Sequence, residues 1–68
     1  MKIRLSRHAE EQMIFRGFSM NELREGLQQG SKAVKNGTIV CTHKYYRIVY
    51  RMIDDMMYVI TITIRWKP

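Results

Sequence analysis

From Tyr45 to Ile64 the chain reads YYRIVYRMIDDMMYVITITI, with apolar residues on every second position over most of its length. Period-two alternation is the signature of strands that bury one face. Asp54-Asp55 interrupts the pattern and predicts the turn of a hairpin. A three-residue loop, Ile53-Asp54-Asp55, with Asp55 left-handed, sets Met52 opposite Met56. One face then gathers Tyr46, Ile48, Tyr50, Met52, Met56, Tyr58, Ile60, Ile62 and Ile64. The other carries Arg47, Arg51, Thr61, Thr63 and Arg65, with Val49, Met57 and Val59 partly exposed among them. A two-residue loop would slip the register by one and mix arginine with isoleucine on both faces. Register follows the face that must be buried, so the first pairing is predicted.

Upstream the period changes to that of helices. Ser6 is a candidate N-cap, and Glu10 and Glu11 follow early in the helix where the macrodipole favours acid. Leu5, Ala9 and Met13 form a narrow apolar stripe at i, i+4, i+8, and Gly17 suits the position just past the helix end. The spacing predicts a helix over 7–16, with Met1–Leu5 a short, extended lead-in. Ile14 falls on the charged side, as a lone exposed residue or as part of a contact surface. Ser19-Met20-Asn21-Glu22 is a capping box, and Phe18 can staple onto Leu23. Met20, Leu23 and Leu27 form the stripe of this second helix, which Gly30 ends. Gly26 in its interior costs ~1 kcal/mol relative to alanine. Close approach to the sheet is the expected return.

Asn36-Gly37 satisfies the positive φ angles of a type I′ hairpin turn. A short edge strand over 33–35 and a strand over 38–42 are predicted around it, turning at His43-Lys44. Ile39 and Cys41 then join the apolar face, and Thr38, Val40 and Thr42 the arginine face. The expected fold is α+β: two N-terminal helices on one face of a three- to four-stranded antiparallel meander. Each helix has one stripe, so both must lie on the apolar side, leaving the arginine face to solvent.

Composition sharpens this picture. The chain has 68 residues, one cysteine and two histidines, with a net charge of +6. That length implies a single domain, 1–68, of modest stability. One cysteine forms no internal disulfide, and one Cys with two distant His gives no zinc spacing, so no metal or cofactor is expected. Reduced thiol usage fits the cytoplasm. No run approaches the ~18 apolar residues of a membrane span, and the charged start MKIRLSRHAEE does not read as a signal peptide. The basic excess is dispersed through the predicted elements, and it favours a polyanionic partner.

No phosphate loop, nucleophile elbow or dinucleotide fingerprint is present. Glu10 and Glu11 point in different directions on a helix. Glu22 and Glu25 serve capping and solvation, and Asp54 and Asp55 sit in a turn. Glycosidase-like or metal-dependent chemistry therefore lacks its converging ligands. Metal-free RNA cleavage fits what remains. It needs a base for the 2′-hydroxyl, cations for the pentacovalent phosphate and an acid for the leaving oxygen, and Arg, Lys, His and Tyr supply these. Arg47 and Arg51 lie roughly 13 Å apart by strand rise and can converge on one or two phosphates. Equally, they can be a solvated strand face that keeps the sheet unpaired. His8 is also open to a capping or packing role, and Arg16 complements its helix dipole. Tyr45 is placed on the arginine face, able to stack on a base or donate a proton. Trp66 either packs the last strand or stacks.

The stretch S-R-H-A-E-E-Q-M-I-F-R-G-F-S resembles a family of small bacterial and archaeal domains of unassigned function. Their pattern runs Ser or Thr, x, H-A-x-x-R-M-x-x-R-G, then Ile or Phe, then Ser or Thr. Ser6, His8, Ala9, Met13, Arg16, Gly17, Phe18 and Ser19 match it, while Gln12 stands where an Arg is usual. The stretch Y-R-I-V-Y-R-M-I-D-D is similar to the central hairpin of RelE-type toxins. The resemblance implies a RelE/BrnT-like fold. It also implies a toxin-type, metal-independent endoribonuclease acting on free or ribosome-bound mRNA, often neutralised by an antitoxin. Carried over, His8, Arg16 and Arg47 are the catalytic positions. On the residues' own reading, the basic sheet face adds Arg51, Arg65, Lys44 and Tyr45 as the groups that would hold the RNA backbone or bases. The loss of a cation at Gln12 bears on catalysis. The alternative is a non-catalytic module binding nucleic acid or an acidic protein through the basic face. The chain is expected to be a monomer or homodimer.

Overall fold

The structure, a computed structural model, describes residues 2–65, so Trp66 lies outside the described residues. Seven elements follow in order: β1 (Lys2–Leu5), α1 (Arg7–Arg16), α2 (Met20–Gln29), β2 (Ser31–Lys35), β3 (Thr38–His43), β4 (Tyr46–Ile53) and β5 (Met56–Ile64). The strands form one five-stranded sheet in the order β1-β5-β4-β3-β2. β2 to β5 make the expected antiparallel meander. The lead-in, however, is a fifth strand, parallel to β5, with Leu5 opposite Val59. The sheet is therefore mixed, not a three- to four-stranded antiparallel one. Lys-Ile-Arg-Leu does alternate, but four residues are too few to read as a strand without the partner they pair with.

Both helices lie on one side of the sheet, α1 over β5 and β1, α2 over β3 and β4. The core between the layers is built from Ala9, Met13, Phe18, Leu23, Leu27, Cys41, Tyr46, Ile48, Tyr50, Val59 and Ile62. The caps are as the sequence predicts. Ser6 Oγ accepts the Ala9 N–H at 3.0 Å, and Gly17 takes a left-handed φ of 65°. Ser19 and Glu22 form the reciprocal capping box. Ile14 is exposed together with Phe15, over whose ring the Arg16 guanidinium sits at 5.5 Å. No helix among the described residues is long and apolar enough to cross a membrane.

Gly26 is where α2 meets the sheet. A Cβ there would stand 2.6 Å from Tyr46 Cε2 and 3.0 Å from Ile48 Cδ1. Both neighbours are fixed in the core, so the clash is not relieved by a flexible side-chain end. Gly26→Ala should therefore destabilise by about 1–3 kcal/mol through overpacking, overriding the gain in helix propensity. Urea denaturation of the two proteins checks this. A stabilised variant would show that the helix–sheet spacing is softer than this contact implies.

Asn36 (φ 52°) and Gly37 (φ 77°) form the expected two-residue turn. The next turn is one residue later than predicted, at Lys44-Tyr45, with His43 opposite Tyr46. Its parity is unchanged, so Ile39 and Cys41 still face the helices. The β4–β5 hairpin departs further. Ile53 pairs with Met56 across a two-residue turn in which Asp54, not Asp55, is left-handed. A bulge then restores the register, because Tyr50 faces Val59 while Val49 faces Thr61, leaving Ile60 as the extra residue. Ser6 pins that bulge, donating its N–H to the Val59 carbonyl at 2.9 Å and its hydroxyl to that of Ile60 at 2.6 Å. The consequence is an exchange of faces near the turn. Val59 is fully buried and Met57 packs on the core, whereas Met56 and Tyr58 move to the arginine side.

Candidate nucleic-acid interface

The uncovered face of the sheet can be read in rows from the register. Thr42, Arg47 and Thr63 form one row, and Val40, Val49 and Thr61 the next. In the third, Tyr58 of β5 pairs with Arg51 of β4 on one side and Arg4 of β1 on the other. Lys2, beside Met56, and Lys35, beside Thr38, extend the positive surface towards the two sheet edges. Side chains of paired residues share a face, so the five cations Lys2, Arg4, Lys35, Arg47 and Arg51 project from one side. All five are exposed.

The carboxylates are elsewhere. Glu10 and Glu11 are on α1, Glu22 and Glu25 on α2, and Asp54 and Asp55 at the hairpin tip. Among the described residues Arg4, Arg47 and Arg51 make no ion pair. Like charges on one solvated surface raise a positive potential that only an anionic partner or counterions relieve.

The other predicted site residues divide differently. Lys44 and Tyr45 lie in the turn that folds towards α2, not on the arginine face. Lys44 Nζ is 2.8 Å from Glu25 Oε2, and the Tyr45 hydroxyl donates to Glu22 Oε2 at 2.7 Å. Because Tyr45 sits in a turn rather than in strand alternation, its ring leans onto Tyr46 and the core instead of outward. The Glu22 hydrogen bond raises the Tyr45 pKa, so this hydroxyl is a poorer proton donor than a free tyrosine. His43 is the half-buried last residue of β3, with Nε2 2.9 Å from Glu25 Oε2. Hydrogen bonds from Lys44 and then His43 hold the Glu25 carboxyl below its usual range. These contacts tie the β3–β4 end of the sheet to α2.

His8 and Arg16 occupy opposite ends of α1, about 12 Å apart along its axis by helical rise. Both are exposed, and among the described residues His8 has no hydrogen-bond or ion-pair partner. The helix belongs to the layer opposite the face from which Arg47 projects. The structure thus brings Arg47 and Arg51 onto one surface and keeps His8 and Arg16 apart from it. Arg65 follows β5 directly and is exposed, its N–H donated to the Tyr45 carbonyl at 2.9 Å. Sequence reasoning missed Arg4 and Tyr58. The K-I-R-L alternation could have pointed to the first, and a two-residue turn at Asp54-Asp55 to the second.

A two-helix layer on a five-stranded mixed sheet resembles the RelE-type fold. The particular likeness is to a chain in the crystal structure of the toxin-antitoxin complex RelBE2 from Mycobacterium tuberculosis. The TM-score is 0.62 at 20% identity, over 94% of this chain and 96% of that one. At that identity the likeness is one of fold. No protein-family model matches the chain, and no curated protein does.

Proposed function

We propose that the protein is a toxin-type RNA-binding protein that takes RNA on the uncovered sheet face and cleaves it without a metal. The observation that carries this reading is the set of exposed arginines that, among the described residues, have no ion pair and share their face with no carboxylate side chain. Guanidinium groups bind phosphate through two parallel hydrogen bonds and keep their charge at any physiological pH. In the cleavage step Arg47 and Arg51 would stabilise the pentacovalent phosphate as its charge develops. The roles of His8 as general acid or base, and of Arg16 as a further cation, rest on the motif resemblance alone, and both residues lie in the layer opposite the face that would take the RNA. An antitoxin-like protein is the proposed partner, since the structure of similar fold comes from a toxin–antitoxin complex.

Inducible expression in a bacterial host tests the reading. The expected result is arrest of translation, relieved by Arg47→Ala/Arg51→Ala at equal soluble expression. Full growth with intact cellular RNA at confirmed soluble expression would overturn the toxin-type reading. The second reading is a non-catalytic module, favoured by the placement of His8 in the other layer. RNA bound in a salt-dependent way but left uncut, in purified form and on ribosomes, would select it.

A further inference from the structure

The third row of the uncovered face combines two chemistries that the arginines alone do not. Tyr58 is half-buried between Arg4 and Arg51, each one strand away, at ~4.8 Å in the hydrogen-bonding direction. The three residues come from three different strands, so the sheet itself fixes their spacing. Among the described residues the Tyr58 hydroxyl has no hydrogen-bond partner, and neither arginine has an ion pair. An aromatic ring on a solvent-facing sheet, flanked on both sides by free cations, can offer a π-face to a base while guanidinium groups hold the phosphates beside it.

We infer that Tyr58, with Arg4 and Arg51, forms a base-stacking platform that makes this face select unpaired RNA over duplex. The inference rests on the RNA-binding reading above and adds the form of RNA. The argument is geometric. Along an A-form duplex the bases are stacked on one another, and the helix displays backbone, 2′-hydroxyls and base edges, with base planes exposed only at its two ends. A sheet-borne tyrosine therefore gains nothing from a duplex beyond the phosphate contacts of its arginine neighbours. An unpaired strand can turn one base onto the ring and keep both phosphate contacts. The adjoining row of Val40, Val49 and Thr61 carries no charge and leaves an uncharged strip between Tyr58 and Arg47. That strip suits a base lying flat better than it suits a second phosphate.

The test measures fluorescence anisotropy at fixed salt with a labelled 12-nucleotide single-stranded RNA and with a duplex of the same length. The wild-type protein is expected to bind the single strand about tenfold more tightly, the scale of one base–aromatic stack. Tyr58→Leu keeps an apolar side chain over the sheet but removes the ring. It is expected to lose that tenfold while leaving duplex affinity within about twofold, and Tyr58→Phe is expected to restore it. Arg4→Ala should weaken both RNAs together. Equal wild-type affinity for the two RNAs overturns the platform and leaves the RNA-binding reading standing. So does a single-strand preference that survives Tyr58→Leu. Binding of neither RNA at low salt overturns the RNA-binding reading itself. The comparison of the two RNAs on wild-type protein needs no variant, so a failure of Tyr58→Leu to fold does not block the test.

Discussion

Tyr46→Ala is expected to cost about 3–5 kcal/mol, which for a domain of this size is comparable to its entire stability. Tyr46 is 1% exposed and stands at the junction of three elements. Its ring meets Phe18 edge-on at 4.6 Å, Tyr45 at 5.3 Å and His43 at 5.7 Å. It lies against Gly26, whose missing side chain makes room for it. Its hydroxyl donates to the Glu22 carbonyl at 2.6 Å. Truncation opens a cavity under α2 and leaves that carbonyl without this partner. Tyr46→Phe separates the two losses and should cost only ~1 kcal/mol, the net worth of one hydrogen bond. Thermal unfolding reads the difference, because each kcal/mol moves the midpoint of a 60–100-residue domain by about 4–8 °C. An alanine variant melting within a few degrees of wild type would show that α2 is held by something other than this ring. The phenol adds a pH signature. Burial first, then the nearby Glu25 and Glu22 carboxylates, raise the Tyr46 pKa to about 12. A folded value above the unfolded one of ~10 means the stabilisation is complete below pH ~10. It is lost as pH rises towards 12, and Tyr46→Phe should lose less over that window. Tyr45 and Tyr50 also titrate high, so some alkaline loss remains in the variant.

The parts of this fold that were legible in the sequence are those that local chemistry dictates. As caps, Ser6, Ser19, Glu22 and Gly17 act on backbone groups within five residues of themselves, and Asn36-Gly37 needs only its own φ angles. The parts that were not legible depend on distant partners. β1 is a strand because β5 lies beside it, more than fifty residues later in the chain. The Ile60 bulge stands where Ser6 bonds the Val59 and Ile60 carbonyls. Without that contact, a hairpin obliged to bury one face has no reason to combine a two-residue turn with a later register shift. The same reasoning divides the candidate site. Arg47 and Arg51 precede the bulge's influence on β5, and alternation alone put them on the open face. Tyr58 lies between the turn and the bulge, so its face could be read only with both in hand. Lys44 and Tyr45 sit in a turn, where alternation has no force, and the carboxylates of α2 decide their direction.

The largest functional effect is expected from Arg47→Ala/Arg51→Ala. Binding to single-stranded nucleic acid falls with salt at a slope of roughly −0.7 per phosphate neutralised. If four cations of the open face engage RNA, the slope is about −2.8, and affinity drops roughly fiftyfold between 50 and 200 mM salt. Removing two of the four should reduce the slope to about −1.4, besides weakening binding at low salt. Stability should change little, because both side chains are exposed and neither holds an ion pair among the described residues. Solvated surface changes of this kind lie within about ±0.5 kcal/mol. Lys44→Ala makes the sharper comparison. It removes a positive charge too, but from the ammonium that pairs with Glu25 on the helix side. If RNA lies on the open face, this variant keeps the wild-type slope while the double arginine variant loses half of it. If RNA lies where Lys44 and Tyr45 meet α2, Lys44→Ala lowers the slope by about 0.7 and the double arginine variant keeps it. Isothermal titration at four salt concentrations distinguishes the two. An unchanged slope in the double arginine variant would remove the sheet face from the binding surface.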